Sequence, residues 1–400
     1  MNTVSLSWRY LWSRPLAAGL NLLLLTLGLA SITLLLLVSH LINAAFERDL
    51  AGIDAVVGAK GSPMQLILSG VFHLDVSTGN VPLAAIQALQ THPQVAKLIP
   101  ISLGDSFRGH RIVGTTPSYI SHYHVPLAQG ALWTKPLQAV VGAQVAARTG
   151  LKLGDTFSGS HGLGSRGEVH GQTPYTVVGV LAASGLVLDR LIITATESVW
   201  TVHETDTAMD EEDQKILQGE REVTLALIQY KTPLAAVTFP RFINTTTEMQ
   251  AAAPALEITR LLSMIGVGTN VMKALASVLL LTAALSVFIA LWSAVRERRA
   301  DLALLRMLGA PPHRVAGLLL CEALWLALLA SLLGLAAGQA LVALMGWALQ
   351  LEQSVLIGGL IWPAELAVVP VLALGVAVLS ALLPAWEAYR VSVFELLQSR

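Results

Sequence analysis

The sequence predicts an α-helical membrane protein with four transmembrane helices and a large α+β extracytoplasmic domain between helices 1 and 2. Three observations carry this. Residues 15–46 and 274–295 contain no Asp, Glu, Lys or Arg, and from 315 to 386 the only charges are Glu322, Glu352 and Glu365. Residues 47–260 have the composition of an ordinary soluble protein. Arginine gathers in short segments between the apolar runs. The chain as a whole is 54% hydrophobic and 13% charged, against about a quarter charged in a typical soluble domain, so the mean blends two classes of sequence.

A spanning helix needs about 20 apolar residues to cross a hydrocarbon core about 30 Å thick. The first span is read over 16–39, after a cytoplasmic N-terminus of residues 1–15. A cleaved signal peptide would have a shorter apolar region followed by a small-residue cleavage site; this run is longer and continues as helical pattern through His40–Leu50. The second span covers 271–295, around Ala274–Val295. The third covers 315–347, Val315–Trp347, long enough to tilt or to project. The fourth covers 361–383, with Pro384 placed at its end. Backbone groups in lipid must be satisfied internally, which makes each of these a helix.

Orientation follows from Lys and Arg in short loops. Arg9 and Arg14 lie before the first span, Arg296, Arg298, Arg299, Arg306 and Arg314 in the 296–314 loop, and Arg390 and Arg400 in the tail of residues 384–400, whereas the short outer loop 348–360 has only Glu352. Both termini and the 296–314 loop are therefore expected in the cytoplasm, with residues 40–270 outside. Net charge is −1, so composition does not point to nucleic acid. The single cysteine, Cys321, lies in an apolar run, which rules out a disulfide framework and a multi-cysteine metal site.

The outer domain reads as mixed α and β, with stalk helices at both ends. Val95–Ser102 and Phe107–Thr115 read as strands flanking a Gly104–Asp105 turn. Tyr175–Leu181, Leu191–Thr194 and Glu222–Tyr230 are further β-branched runs; Val81–Gln90 and Ala143–Thr149 read as helices. Ser158–Gly171 reads as a Gly/Ser-rich loop and Thr205–Gln214 as a solvated acidic stretch. Thr247-x-x-Gln250 has the capping-box pattern. The apolar spacing Ile258, Leu261, Leu262, Ile265 then predicts a helix towards span two, with Gly266 and Gly268 as candidate loosening points.

In the 296–314 loop, Leu302, Leu305 and Leu308 follow helical spacing. Gly309 ends the helix and Pro311–Pro312 stop its continuation. The segment is open to three readings: an interfacial helix, a loop that satisfies the positive-inside rule, or a docking helix for a cytoplasmic partner. Glu322 is the one acid well inside a span; it is either a functional intramembrane charge or a group about two turns from the cytoplasmic face that pairs with an arginine or packs at a helix interface. Gly334 and Gly338 form a small-x-x-x-small pair suited to helix packing. His122 and His124 alternate along SHYHVP, read as extended, and with His110, His161 or His170 are candidate ligands of a divalent metal; scattered surface histidines are the plainer reading. Gly58–Pro63 is either an anion-gripping loop or a surface turn. No H-E-x-x-H, G-x-S-x-G or G-x-x-x-x-G-K-[ST] occurs in the 400 residues, so neither a common hydrolase motif nor a P-loop is present in them.

Residues 297–315, ERRADLALLRMLGAPPHRV, resemble the coupling loop of the MacB/FtsX-type permeases of ABC transporters, a family that includes LolC/LolE-like four-helix permeases. The family form is E-x-R-x-[EA]-[IL]-[GA]-x-L-R-x-[IL]-G-A. Glu297, Arg299, Leu305, Arg306, Gly309 and Ala310 fit it, and Asp301-Leu302-Ala303 stands where the family often has Glu-Ile-Gly, a mild departure. Glu322 followed by Gly334 and Gly338 is similar to the family's E…G-x-x-x-G. The tail ALLPAWEAYRVSVFELL (381–397) is similar to the family's ending, with Val393 replacing a proline. Val140–Phe157 and Tyr175–Leu181 resemble its periplasmic segments.

The resemblance implies a non-catalytic permease subunit in a bacterial inner membrane, with its large domain in the periplasm. It implies ATPase coupling through Glu297, Arg299, Asp301, Leu302, Leu305, Arg306, Leu308 and Gly309. It implies a partner ABC ATPase that carries ATP and Mg, with no cofactor on this chain. It further implies a second permease copy (homodimer or related heterodimer), contact with a periplasmic partner protein, and mechanotransmission or export from the outer face. The alternative function is a membrane receptor or scaffold whose outer domain binds a ligand or a divalent metal such as zinc.

Overall fold

The computed structural model describes residues 3–162, 173–207, 220–351 and 361–390. Glu352, His170, Val393, Arg400 and most of the acidic stretch lie outside the described residues. Two compact units form: residues 1–43 with 264–400, and residues 44–263.

The first unit is helical. A short helix α1 (Thr3–Leu11) precedes α2 (Pro15–Leu50); α2 contributes residues to both units. The sequence reading placed no helix at 3–11. Four helices are long and apolar enough to cross a membrane: α2, the second over Pro254–Glu297, the third over Pro312–Ala348, and the fourth over Ala364–Arg390. The second is one unbroken helix from end to end, so Gly266 and Gly268 do not loosen it. The fourth continues past Pro384, which is buried inside the helix rather than at its end; a membrane helix tolerates the missing N–H because neighbouring groups re-satisfy the freed carbonyl. The core of this unit joins Leu25, Leu29, Ala283, Val287, Ala327 and Ala377. Leucines on the outside, such as Leu20, Leu281 and Leu379, remain exposed, as lipid-facing positions do.

The second unit is a mixed sheet with helices on it. Its strands are β1 (Ala55–Ala59), β2 (Val81–Pro82), β3 (Val95–Phe107), β4 (His110–Thr115), β5 (Leu127–Gly130), β6 (Gln138–Val141), β7 (Thr156–Phe157), β8 (Ser160–His161), β9 (Tyr175–Leu181), β10 (Ile192–Ala195), β11 (Glu222–Val223), β12 (Leu225–Tyr230) and β13 (Met249–Ala252). The main sheet runs β13-β1-β12-β3-β4-β10-β6-β9-β5, with β8 beside β3 and β7 beside β9. Pairing is antiparallel except for β4–β10 and β6–β9. In β9 buried and half-exposed residues alternate, while β4 and β10 are buried throughout, as suits strands covered on both faces.

Two local readings change. The β3–β4 turn is Arg108–Gly109, both with positive φ (48° and 81°), between the paired Phe107 and His110. A two-residue hairpin loop of type I′ needs that conformation at both positions. Gly104–Asp105 instead sit in β3 at a register shift between Leu103 and Ser106. Thr247 does not open a helix. It closes the helix Ala235–Thr246, its hydroxyl donating to Ile243 O at 2.7 Å and accepting from Met249 N at 3.1 Å. Gln250 lies in β13, where its Oε1 accepts from Gly61 N at 2.7 Å. The Gly58–Pro63 stretch is accounted for in turn: Gly58 lies in β1, and Ser62 caps the helix Pro63–Gly70.

Candidate coupling site

The helix Pro254–Glu297 ends one residue short of a short helix, Arg299–Met307, and Arg298 is the joint between them. The Arg298 guanidinium donates to Glu322 Oε1 at 3.2 Å, to Ser13 Oγ at 2.7 Å and to Tyr10 O at 3.1 Å, and lies over the Tyr10 ring at 4.6 Å. Both charged side chains are largely buried, 14% and 7% exposed. Glu297, beside it, pairs with Arg14. The acid inside span three is thus neutralised by an arginine of the loop, and the joint is tied to the N-terminal segment on one side and to the third span on the other. A buried carboxylate is tolerated when it is paired and hydrogen-bonded in this way.

The short helix does not present the leucine face expected from spacing. Leu302 is turned inward, 5% exposed, in the cluster with Leu11, Val295, Val315 and Leu319. Leu305 and Arg306 are half-buried. Leu308 lies just past the helix as its C-cap. Among the described side chains of this segment, the exposed large apolar ones are Leu304, Met307 and Leu308, at 52%, 53% and 84%. The spacing located the helix, but it could not tell which flank the third span would cover. Gly309, with φ +94°, reverses the chain; its N–H donates to Arg306 O, and that of Ala310 to Leu305 O, both at 3.0 Å. A residue with a Cβ would be strained at that φ. The side chains of Arg299 and Asp301 lie outside the described ones.

Gly334 and Gly338 pack within this chain, against α2. A Cβ at Gly334 would stand 2.8 Å from Leu29 Cβ, and one at Gly338 would collide with Thr33. Other polar groups of the spans bridge helices: Ser286 Oγ donates to Asn21 Oδ1 at 2.6 Å, and Ser380 Oγ to Ala284 O at 3.0 Å.

In the second unit both helix roots are set into one core. Phe46 and Leu50, at the end of α2, and Ile258, Leu261 and Leu262, at the start of the second spanning helix, join the cluster built on Val56, Leu66, Ile101 and Leu188. Phe46 meets Phe72 edge-on at 5.0 Å. Asp49 Oδ1 accepts from Val187 N at 3.0 Å, and Asp49 O accepts from Tyr123 Oη at 2.9 Å. Gly52 turns the chain with φ +75° beneath the His122 ring. Sequence reasoning had no signal for these contacts, because the partners lie 74 and 138 residues away.

His122 and His124 are not on an extended run. His122 ends the helix Ser118–His122, and His124 has φ +53°. The Nε2 of His122 bonds to Ala51 O at 2.9 Å. Burial, and then Lys97, lower its pKa from the ordinary value. That ring is spent on the root of α2. Deeper in, His73 bonds Tyr119 Oη at 3.0 Å, and its pKa is lowered well below the usual imidazole value by burial, then by Arg111 and Arg190. Among the described residues, the side chains grouped closely enough to hold a metal are Asp105, His161 and His203.

The family described as FtsX-like permease C-terminal matches residues 273–393, and the family described as MacB-like periplasmic core domain matches residues 18–233, over half of the chain. The pyoverdine export ATP-binding/permease protein PvdT of Pseudomonas aeruginosa is 24% identical over 369 residues, which cover 84% of this chain and 50% of that protein; the chain thus spans about half the length of this relative. The periplasmic region of MacB from Actinobacillus actinomycetemcomitans aligns over 54% of this chain and 95% of its own, at 12% identity and a TM-score of 0.35. The extracellular domain of the noncanonic ABC-type transporter YknZ from Gram-positive bacteria aligns over 50% of this chain and 98% of its own, at 12% identity and a TM-score of 0.31. With one family matching the first span and most of the second unit, and the other the remaining spans and the loop between the second and third of them, the chain belongs to the MacB/FtsX-type permeases of ABC transporters.

Proposed function

We propose that this chain is a non-catalytic permease subunit that transmits the motion of a cytoplasmic ATPase to its outer domain. The ATPase, with its ATP and Mg, is supplied from outside these 400 residues. The complex would lie in a bacterial inner membrane with the outer domain in the periplasm, hold a second permease copy, and act on a periplasmic partner or export a substrate from the outer face. The chain itself would bind no cofactor. PvdT's name assigns export to that protein; here, export from the outer face is part of the proposal.

One observation carries the reading. The helix Pro254–Glu297 is continuous from Ile258, in the outer-domain core, to the residue before Arg298. A push on the coupling helix would therefore enter a single hydrogen-bonded rod. Exposed Leu304, Met307 and Leu308 would form the ATPase contact, with Arg306, Leu305, Arg299 and Asp301 around them.

Gly266 and Gly268 provide the test, since a Cβ at either meets nothing within 4 Å. Alanine there should keep the rod, whereas proline at 268 removes a helix hydrogen bond and costs about 3 kcal/mol. With the co-purified ATPase, ATP should change hydrogen exchange at the roots, residues 44–50 and 254–263, in wild type and in Gly268→Ala. In Gly268→Pro the ATPase should still bind and that change should vanish; if it persists, transmission through this helix is wrong.

A further inference from the structure

We propose that Asp105, His161 and His203 form a binding site for a divalent transition metal such as zinc in the outer domain. Their ligand atoms all lie within 4.8 Å of one another. Three separate pieces of chain bring them together: β3, β8 and the helix Thr196–Thr207. Asp105 and His161 are direct cross-strand partners in the β3–β8 ladder, and Asp105 Oδ1 stands 3.3 Å from His161 Nδ1. The rings of His161 and His203 stack at 5.0 Å between centroids, 24° from parallel. Gly104 leaves room for the third member: a Cβ there would stand 3.4 Å from His203 Nε2.

The donor set is chemically suited to zinc. Two imidazoles and one carboxylate are a common three-ligand set, with water in the fourth tetrahedral position, and Zn–N and Zn–O bonds of about 2.0–2.2 Å put neighbouring ligand atoms about 3.3–3.6 Å apart. The Asp105–His161 separation already meets that spacing, and the remaining closure falls on His161, whose side chain is 49% exposed, while Asp105 is fixed at 2%. His203 also lines a cavity of about 230 Å³ with Asn80, Trp200 and Arg221. Bound metal would tie β8 to the helix Thr196–Thr207 across the bulged segment of β3. Such a site makes the outer domain sensitive to metal whether or not the transmission reading holds.

The test uses the full-length chain in detergent, without a polyhistidine tag, titrated with Zn²⁺ by calorimetry and with Co²⁺ by visible absorption. Wild type should bind one ion, with the intense bands of tetrahedral cobalt. His161→Ala, at an exposed position, and His203→Gln should each weaken binding at least ~10-fold, while His122→Ala and His124→Ala leave it unchanged. Because the cobalt spectrum is read on wild type, misfolding of a variant does not decide the matter. Absence of tetrahedral cobalt bands in wild type, or binding unaffected by His161→Ala, would overturn the proposal.

Discussion

The division of leucines in the coupling segment separates folding from docking, and two substitutions two residues apart should show it. Leu302 is 5% exposed and Leu304 is 52% exposed. Shortening either to alanine removes the three outer carbons of the side chain. At about 0.8 kcal/mol for each buried carbon group, full burial at 302 gives about 2.4 kcal/mol before any cavity term, and about 2–5 kcal/mol with it. Half-burial at 304 gives about 1 kcal/mol on the same scale. Leu302→Ala should therefore lower the thermal midpoint of the detergent-purified chain clearly, and Leu304→Ala only slightly. The order reverses for ATPase binding. Leu304→Asp, or Met307→Asp, places a charge in the proposed contact, and loss of one hot-spot interaction of about 2 kcal/mol weakens affinity about 30-fold. Thermal melts and pull-down of the ATPase on the same preparations read both quantities. If Leu304→Asp and Met307→Asp bind the ATPase as wild type does, the exposed triad is not the docking surface. If Leu302→Ala melts like wild type, the inward packing of that residue is wrong.

Further outcomes follow from other contacts. Gly338→Val should destabilise the helical unit by about 1–3 kcal/mol through overlap with Thr33, while Gly375→Ala, which meets nothing within 4 Å, should leave the melting point in detergent unchanged. Arg298→Ala strands the buried Glu322 carboxylate and should cost about 3–5 kcal/mol, with the Arg298→Ala/Glu322→Gln pair losing less than the sum of the two in the same melts. His73 is held neutral, its pKa below the ordinary 6.5 because of burial. The unfolded chain therefore takes up a proton there that the folded chain refuses, so stability is full above about pH 6.5 and falls by up to about 1.4 kcal/mol per pH unit below it. His73→Asn, chosen because asparagine tolerates the positive φ of 53° at this position, should flatten that slope in melts between pH 7 and 5.

The spans were legible because the bilayer imposes one rule on every residue of a segment, and Leu16–Val38 or Ala274–Val295 obeys it without help from distant parts of the chain. The family resemblance was legible in the coupling loop for a similar local reason: Gly309 and the two prolines fix where that helix stops. What could not be read depended on a partner elsewhere. Gly104–Asp105 carried the stronger turn composition, yet Arg108–Gly109 took the turn because the ladder places Phe107 opposite His110. Thr247 carried a capping pattern, yet its hydroxyl was claimed by the helix behind it. The outward flank of the coupling helix depended on Val315 and Leu319 taking Leu302. The Asp105–His161–His203 group depended on a two-residue strand and a helix meeting at a bulge, and only His161 had been named among the metal candidates.

The polar groups of the helical unit bear on what kind of permease this is. A water-filled route for a solute would leave polar side chains facing a common space, because an unsatisfied polar group in hydrocarbon is costly. Among the described residues several polar groups are paired inside the bundle, and Asn21, Arg298 and Glu322 also line one cavity of about 220 Å³. Asn21 is spent on Ser286, Ser380 on a carbonyl of the facing helix, Thr33 on the carbonyl of Leu29, and Glu322 on Arg298. The glycines that could open space instead bring α2 within contact of the third span. The contacts between helices are those the proposed transmission would use, with the bundle moving as a body. In the proposed transmission, an outer domain that roots both of its helices in one core would supply the stiff attachment that a lever needs.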